Sequence, residues 1–185
     1  MGDVIATERL VLRDWTRADR AAYADMAQDR EVMRFFANRL SRRQAYAKIN
    51  TFQAAIDSDG YGFWAAADRK TNALLGVIGL SPVSPDVRCL VRGAPAIEIG
   101  WSLARAAWGL GLAPEAARAC LDYAWRVLGA PEVVAFTAAP NVPSQRVMEK
   151  IGMVRDPDAD FDHPSAPQDH PMRPHVLYRI ANPFC

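Results

Sequence analysis

Between Ile97 and Ala119 the chain reads IEIGWSLARAAWGLGLAPEAARA, and no other stretch constrains the fold as tightly. It reads as a buried strand, a turn ending in Gly109-Leu110-Gly111, and a helix opened by Pro114. A helix start leaves its first amide N–H groups without partners inside the helix, and the helix dipole adds partial positive charge there. Glycines let backbone come close to an anion that side chains would hold off. Proline suits the first helical position, where its missing N–H costs nothing. Strand, glycine turn and helix start together predict a phosphate-binding device.

Two common phosphate loops are excluded by the residues themselves. A P-loop needs Gly-Lys-Ser/Thr, whereas Gly111 is followed by Leu112-Ala113. A dinucleotide fingerprint of the form G-x-G-x-x-G/A needs glycine or alanine at 114, where proline stands. A bare Gly-x-Gly is weak by itself, because many strand–helix turns carry glycine for steric reasons.

With 185 residues, half of them hydrophobic, the chain suits one well-cored domain spanning 1–185. The 22 basic and 21 acidic residues leave a formal charge of +1. Bulk charge therefore gives no reason to expect a nucleic-acid or membrane-surface partner. Cys89, Cys120 and Cys185 are odd in number and lack metal spacing, which argues against a disulfide framework and a zinc site. A reduced, cytoplasmic protein is expected. The opening MGDVIATERL has no apolar core and carries charges early, unlike a signal peptide. Ala6 stands where myristoylation wants Ser or Thr. Apolar runs such as Leu74–Leu80 fall far short of a membrane span.

In chain order, residues 8–13 predict a strand with Leu10 and Leu12 on one face. Thr16 to Asp19 resembles a capping box for a helix running to about Gln28, with a short second helical piece ending near Phe35-Phe36. Ser41 to Gln44 is a better capping box, and Ala45, Ile49, Phe52 and Ile56 then share one helical face. Tyr61–Ala67 and Leu74–Leu80 flank a polar turn and predict an antiparallel hairpin, followed by a loop from Pro82 to Pro95. A strand over Ala96–Leu103 and a helix over Pro114–Leu128 come next, the helix burying Leu112, Ala116, Cys120 and Ala124. Cys120 reads as a small core residue. Glu132–Thr137 is a β-branched strand, and Asn141 caps a helix over Val142–Ile151 closed by Gly152. Met153-Val154 begins a strand, a Pro/Asp/His connection follows, and His175–Ile180 completes the sheet. The order predicts an α/β (α+β) fold: a mixed, mostly antiparallel sheet of about seven strands with helices on both faces.

Three segments then resemble a known family, the GNAT superfamily of acyl-CoA-dependent N-acyltransferases, and within it the RimJ/RimL-like (ribosomal-protein N-terminal acetyltransferase-like) branch. Thr7-Glu8-Arg9-Leu10-Val11-Leu12-Arg13 is similar to that branch's opening "TERLxLR". Glu98-Ile99-Gly100-Trp101 with Trp108-Gly109-Leu110-Gly111-Leu112-Ala113-Pro114-Glu115-Ala116 is similar to its acyl-CoA motif. Asn141, Ser144 and Glu149-Lys150-Ile151-Gly152-Met153 are similar to its "NxxSxxxxEKxGF" helix. One position departs: the superfamily's Arg/Gln-x-x-Gly-x-Gly/Ala signature begins at Ala106, with Arg105 one residue early.

The resemblance implies a donor, acetyl-CoA, an amine acceptor and no metal. The amides of Gly109, Leu110, Gly111, Leu112 and Ala113 would take the pyrophosphate. Gly100, Trp101, Ser102 and Leu103 would part from the neighbouring strand and pair with the pantetheine arm, with Asn141 and Ser144 contributing from the next helix. A backbone N–H aimed at the thioester oxygen would stabilise the charge that develops there. Glu98 is the expected general base, directly or through a water, and Ser144 the expected proton donor to the thiolate, with Tyr178 as the alternative donor. Each has a plainer reading: Glu98 as a solvated or salt-bridged strand carboxylate, Asn141 as an N-cap only, Ser144 as support for the helix start. His163, His170 and His175 match no zinc spacing, and the prolines among them suggest an irregular loop. That loop could recognise the acceptor, its acidic residues favouring a cationic amine. The leading function is N-acetyl transfer to a primary amine, either a protein α-amine or a small molecule. The alternative is a non-catalytic acyl-CoA-binding regulator of the same fold. A weaker third reading is a protein-binding module using the Pro-rich loops. Monomer and homodimer both remain open.

Overall fold

Leu10 and Leu12 alternate with Val11 and Arg13, and both leucines are fully buried. This edge-side strand sets the pattern for the computed structural model, which describes residues 5–91, 93 and 96–184. The strands are β1 (Ile5–Ala6), β2 (Leu10–Arg13), β3 (Phe63–Asp68), β4 (Leu74–Pro82), β5 (Ile97–Leu103), β6 (Glu132–Ala138), β7 (Val154–Arg155), β8 (Phe161–Asp162) and β9 (Pro174–Ala181). The helices are α1 (Asp19–Gln28), α2 (Arg42–Asp59), α3 (Pro85–Arg88), α4 (Leu112–Arg126) and α5 (Val142–Lys150). The sheet order is β1-β2-β3-β4-β5-β6-β9-β7, with β8 also on β9. All pairs are antiparallel except β5–β6. The mixed, mostly antiparallel sheet is as expected, but with nine strands among the described residues rather than seven. The additional strands, β1 and β8, are two residues long and exist only by pairing with a neighbour.

Alternation along β3 distributes the helices. Phe63 meets Phe52 of α2 at a ring-centroid distance of 5.3 Å, while Trp64 points the other way and meets Tyr123 of α4 at 5.5 Å. Thus α1 and α2 cover one face and α4 and α5 the other. Gly79 is required where β3 and β4 approach, since a Cβ there would lie 2.0 Å from the Gly62 carbonyl oxygen. A smaller core of Val83, Val87, Val91, Val134, Ala159 and Leu177 fastens α3 and the segment before β8 to the sheet.

Local chemistry explains where the elements start and stop. Ser41 and Gln44 form the expected reciprocal capping box. At α1 the helix begins at Asp19 rather than after Thr16. There Asp19 Oδ2 accepts from the Thr16 amide and hydroxyl, and Arg13 grips both carboxylate oxygens at 2.8 and 3.0 Å. The expected second helical piece is a run of turns at 30–35. Asp29 Oδ1 accepts from the amides of Glu31 and Val32, a local bond that competes with helix. The helix expected from Pro114 begins two residues earlier, at Leu112. Gly111, at φ 76°, is its N-cap, and Pro114 still lies among the first-turn positions whose N–H is not needed. The loop expected over Pro82–Pro95 holds α3, and residues 92, 94 and 95 lie outside the described residues. Among the described residues no helix is long and apolar enough to cross a membrane. Cys89 is exposed and Cys120 buried, both as free thiols, and Cys185 lies outside the described residues.

Candidate active site

The sheet opens at its one parallel junction. β4 and β5 stay in register from Gly76↔Leu103 to Pro82↔Ile97, whereas β5 and β6 share only Glu98↔Val134. Beyond that pair the two strands part. The bonds Ala104 N–H to Leu75 O and Val83 N–H to Ala96 O show that even-numbered residues of this strand face β4. By the antiparallel alternation, the backbone groups of Ile99, Trp101 and Leu103 turn toward β6. On β6, Ala139 N–H bonds Pro174 O, so Val134, Phe136 and Ala138 turn toward the opening. Gly100 and Ser102 direct their backbone to β4 instead. Of the four residues expected to pair with the pantetheine arm, Trp101 and Leu103 therefore present backbone to the cleft. The Leu103 carbonyl already accepts from Trp108 Nε1 at 2.7 Å.

Two helix starts flank the mouth of this cleft, because β5 leads into α4 and β6 into α5. At the first, the backbone N–H groups of Gly109, Leu110, Gly111, Leu112 and Ala113 meet no acceptor among the described residues. Gly109 and Gly111 hold φ of 74° and 76°, which other L-residues adopt only with strain. The turn is thus a row of free donors among the described residues. Ala106 is exposed in the preceding 3-10 turn (Arg105–Ala107), and Arg105 reaches toward Asp29 at 4.0 Å. A residue that spacing did not reveal, Arg9 of the β1–β2 link, reaches the turn. Its Nη1 donates to the Leu110 carbonyl at 2.8 Å, and its Nε and Nη2 bond Glu115 Oε2 at 2.7 and 2.6 Å. Burial pushes the Glu115 carboxyl up, but Thr7 and Arg9 outweigh it and hold the group below the usual carboxylate range.

At the second helix start Asn141 is the N-cap of α5. Its Oδ1 accepts from the Ser144 amide at 3.3 Å and its Nδ2 donates to Thr137 Oγ1 at 2.8 Å. Ser144 is half-buried in the first turn.

Glu98 stands at the vertex, half-buried, on the face covered by α1 and α2. Desolvation pushes its carboxyl up to about 7, against the pull of the Lys48 ammonium on α2. Gly100, next on that face, leaves space that a Cβ would narrow, 3.0 Å from the Phe63 ring. Tyr178 belongs to the other face, because Glu98, Val134 and Arg179 form one row and Tyr178 is one residue out of step. Its hydroxyl donates toward Gln145 and Glu149 of α5 at 3.3 and 3.4 Å, and burial with the Glu149 charge raises its pKa. The structure brings Glu98 to the cleft vertex and Ser144 to its rim, and places Tyr178 beneath α5.

On the Glu98 face, Phe136, Phe161, His163 and His175 form a half-buried ring cluster, the two imidazoles 4.7 Å apart. Desolvation lowers the pKa of both histidines. The acids of this loop are largely committed: Asp156 to Arg179, Asp160 to Arg155 and Asp162 to Arg173. Three of the five carboxylates in residues 156–170 thus have cations in place. Among the described residues no group of three or more His, Cys, Asp or Glu side chains is arranged to hold a metal ion.

The chain as a whole is similar to known proteins. Residues 9–154 match the acetyltransferase (GNAT) domain. The YkkB protein of Bacillus subtilis (strain 168), uncharacterized itself, is 33% identical over 150 residues, covering 80% of this chain and 84% of its own. A GNAT-family acetyltransferase from Bacillus anthracis superposes with a TM-score of 0.79 at 25% identity, over 97% of this chain and 99% of that one. The fold is also that of a RimL ribosomal L7/L12 α-N-protein acetyltransferase in complex with coenzyme A, with a TM-score of 0.74 at 13% identity, over 97% of this chain and 98% of that one. With the open β5–β6 junction and the free amide turn already in place, the domain match shows that this chain belongs to the GNAT acetyltransferase family, whose acyl donor is acetyl-CoA.

Proposed function

We propose that the chain moves an acetyl group from acetyl-CoA to a primary amine by direct attack on the thioester. The observation that carries this reading is the parting of β5 and β6 immediately past Glu98↔Val134, with the free amides of 109–113 at its mouth. The amides suit a diphosphate, and the Trp101 and Leu103 edge suits the peptide-like pantetheine arm as an added strand. Asn141 spends one Nδ2 hydrogen on Thr137, and its second is the donor for that arm. The thioester then lies near the vertex, where Glu98 faces the incoming acceptor.

Glu98, with its pKa near 7, takes the proton of the ammonium, directly or through a water, and frees the nitrogen lone pair. The C–N bond forms as the carbonyl oxygen gains charge, stabilised by the Trp101 N–H. The C–S bond then breaks as the acylated nitrogen gives up its second proton, which Ser144 on the rim relays to the thiolate so that its own hydroxyl is restored. An RimJ/RimL-like acceptor, a protein α-amine, is favoured over a polycation because Asp156, Asp160 and Asp162 are already paired.

The test is thiol release from acetyl-CoA across a library of N-terminal peptides, polyamines, aminoglycosides and simple amines. Turnover with at least one amine supports the reading. A rise in melting temperature with CoA but no turnover points to the non-catalytic regulator instead, and no binding of CoA removes both.

A further inference from the structure

We propose that Arg9 is the positioning residue of the diphosphate turn, fixing one of its amides and neutralising the acid beside it from a distant part of the chain. The proposal rests on the donor reading above.

Arg9 makes two connections that act on the turn in different ways. The first fixes a peptide plane. Nη1 holds the Leu110 carbonyl at 2.8 Å. In a planar trans peptide the N–H of the next residue points opposite that carbonyl. Arg9 therefore directs the Gly111 N–H away from itself and outward from the turn. Its Nη2 comes within 3.6 Å of the Cβ position that Gly111 lacks, so the guanidinium lies directly behind the glycine.

The second connection controls charge. Glu115 is in the first turn of α4, where a bound diphosphate would meet its carboxylate one helical turn away. Both oxygens are engaged: Oε1 accepts from Thr7 Oγ1 at 2.6 Å and from the Arg9 amide at 2.9 Å, and Oε2 from the Arg9 guanidinium. A half-exposed arginine thus neutralises a largely buried acid beside the anion site. Without Arg9 the turn would lose one fixed N–H and gain an uncompensated negative charge. Arg105, adjacent to the signature position, is turned toward Asp29 at 4.0 Å.

Calorimetric titration of CoA and of pantetheine, which lacks the diphosphate and nucleotide, separates positioning from general structural support. Arg9→Gln should weaken CoA by about tenfold, the size expected for charge-assisted contacts at a helix start. Pantetheine affinity should stay within about twofold, because its contacts are with the β5 edge. Removing the repelling acid as well, in R9Q/E115Q, should recover the charge part of the loss but not the part due to the released Leu110 carbonyl, leaving CoA affinity between that of R9Q and that of the parent. Glu115→Gln alone leaves the cation in place and should bind CoA as tightly as the parent or more so. Equal losses for CoA and pantetheine in R9Q, or unchanged CoA binding, overturn the proposal. Should R9Q fail to fold, weaker CoA binding by E115Q overturns it and retained or tighter binding supports it. Failure of the parent protein to bind CoA would instead overturn the donor reading, so the two are distinguishable.

Discussion

Glu98→Gln tests the chemistry at the cleft vertex through two readouts that must agree. Desolvation moves the carboxyl from 4.5 to about 7 while Lys48 opposes the shift. The rate should therefore rise with pH up to about 7, as the base ionises, and then level. In E98Q that limb disappears and the rate falls by about 10²–10⁴, the usual contribution of a positioned general base. Lys48→Gln removes the charge that favours the carboxylate and should move the limb to higher pH. Stability responds with a fixed sign. Because the folded state holds the proton more tightly, the contribution is full below pH 4.5 and is lost as pH rises to about 7. At about 1.4 kcal/mol per pH unit the full shift corresponds to about 3 kcal/mol, reduced to about 2 kcal/mol by the partial solvent access of Glu98. Urea unfolding should show the parent losing that amount relative to E98Q across the same window, while thiol release gives the rate profile. A limb near pH 7 that persists in E98Q would refute the base assignment.

Three further outcomes follow from the same geometry. Ser144→Ala should lower kcat with little change in the KM for acetyl-CoA, whereas Tyr178→Phe, on the far face, should cost about 1 kcal/mol of stability through its lost bonds and leave kcat near the parent value in steady-state assays. Gly109→Ala forces a side chain into φ 74° and should raise the KM for acetyl-CoA about tenfold, from a conformational strain of about 1–2 kcal/mol. Exchange of the 156–170 loop should change the order of preference among amines while leaving CoA binding by calorimetry intact. Unchanged preference would remove this loop from acceptor recognition.

The parts of this site that sequence reveals are those whose cause is local. The capping box at Ser41, the N-cap at Asn141 and the glycine turn at 109–111 each depend on residues within four positions of one another. The parting of β5 from β6 is an implication of the resemblance to the GNAT family and is carried by no local spacing of residues. What stayed hidden has its cause elsewhere in the chain. Arg9 reaches Leu110 across 101 residues, and Lys48 acts on Glu98 from α2, which covers the same face of the sheet but lies far away in the chain. Neither relation leaves a periodicity to read. Pro114 marks the first turn of α4 without specifying which of its positions it occupies, and Gly111 caps the helix in a left-handed conformation, so α4 starts two residues earlier than Pro114 suggests. The turns at 30–35 hide behind apolar residues with helical spacing, since a single Asp29 carboxylate redirects two amides. The arginine partners of the loop acids are also invisible to composition, which shows the acids and not their pairing.

Free CoA and N-acetylated acceptor, followed together over a matrix of acetyl-CoA and amine concentrations, test direct transfer within the cleft. The account predicts equal amounts of the two products and intersecting double-reciprocal lines, because donor and acceptor must occupy the β5–β6 opening together. Parallel lines with an acetylated protein intermediate, or CoA release without acetylated amine, would contradict it.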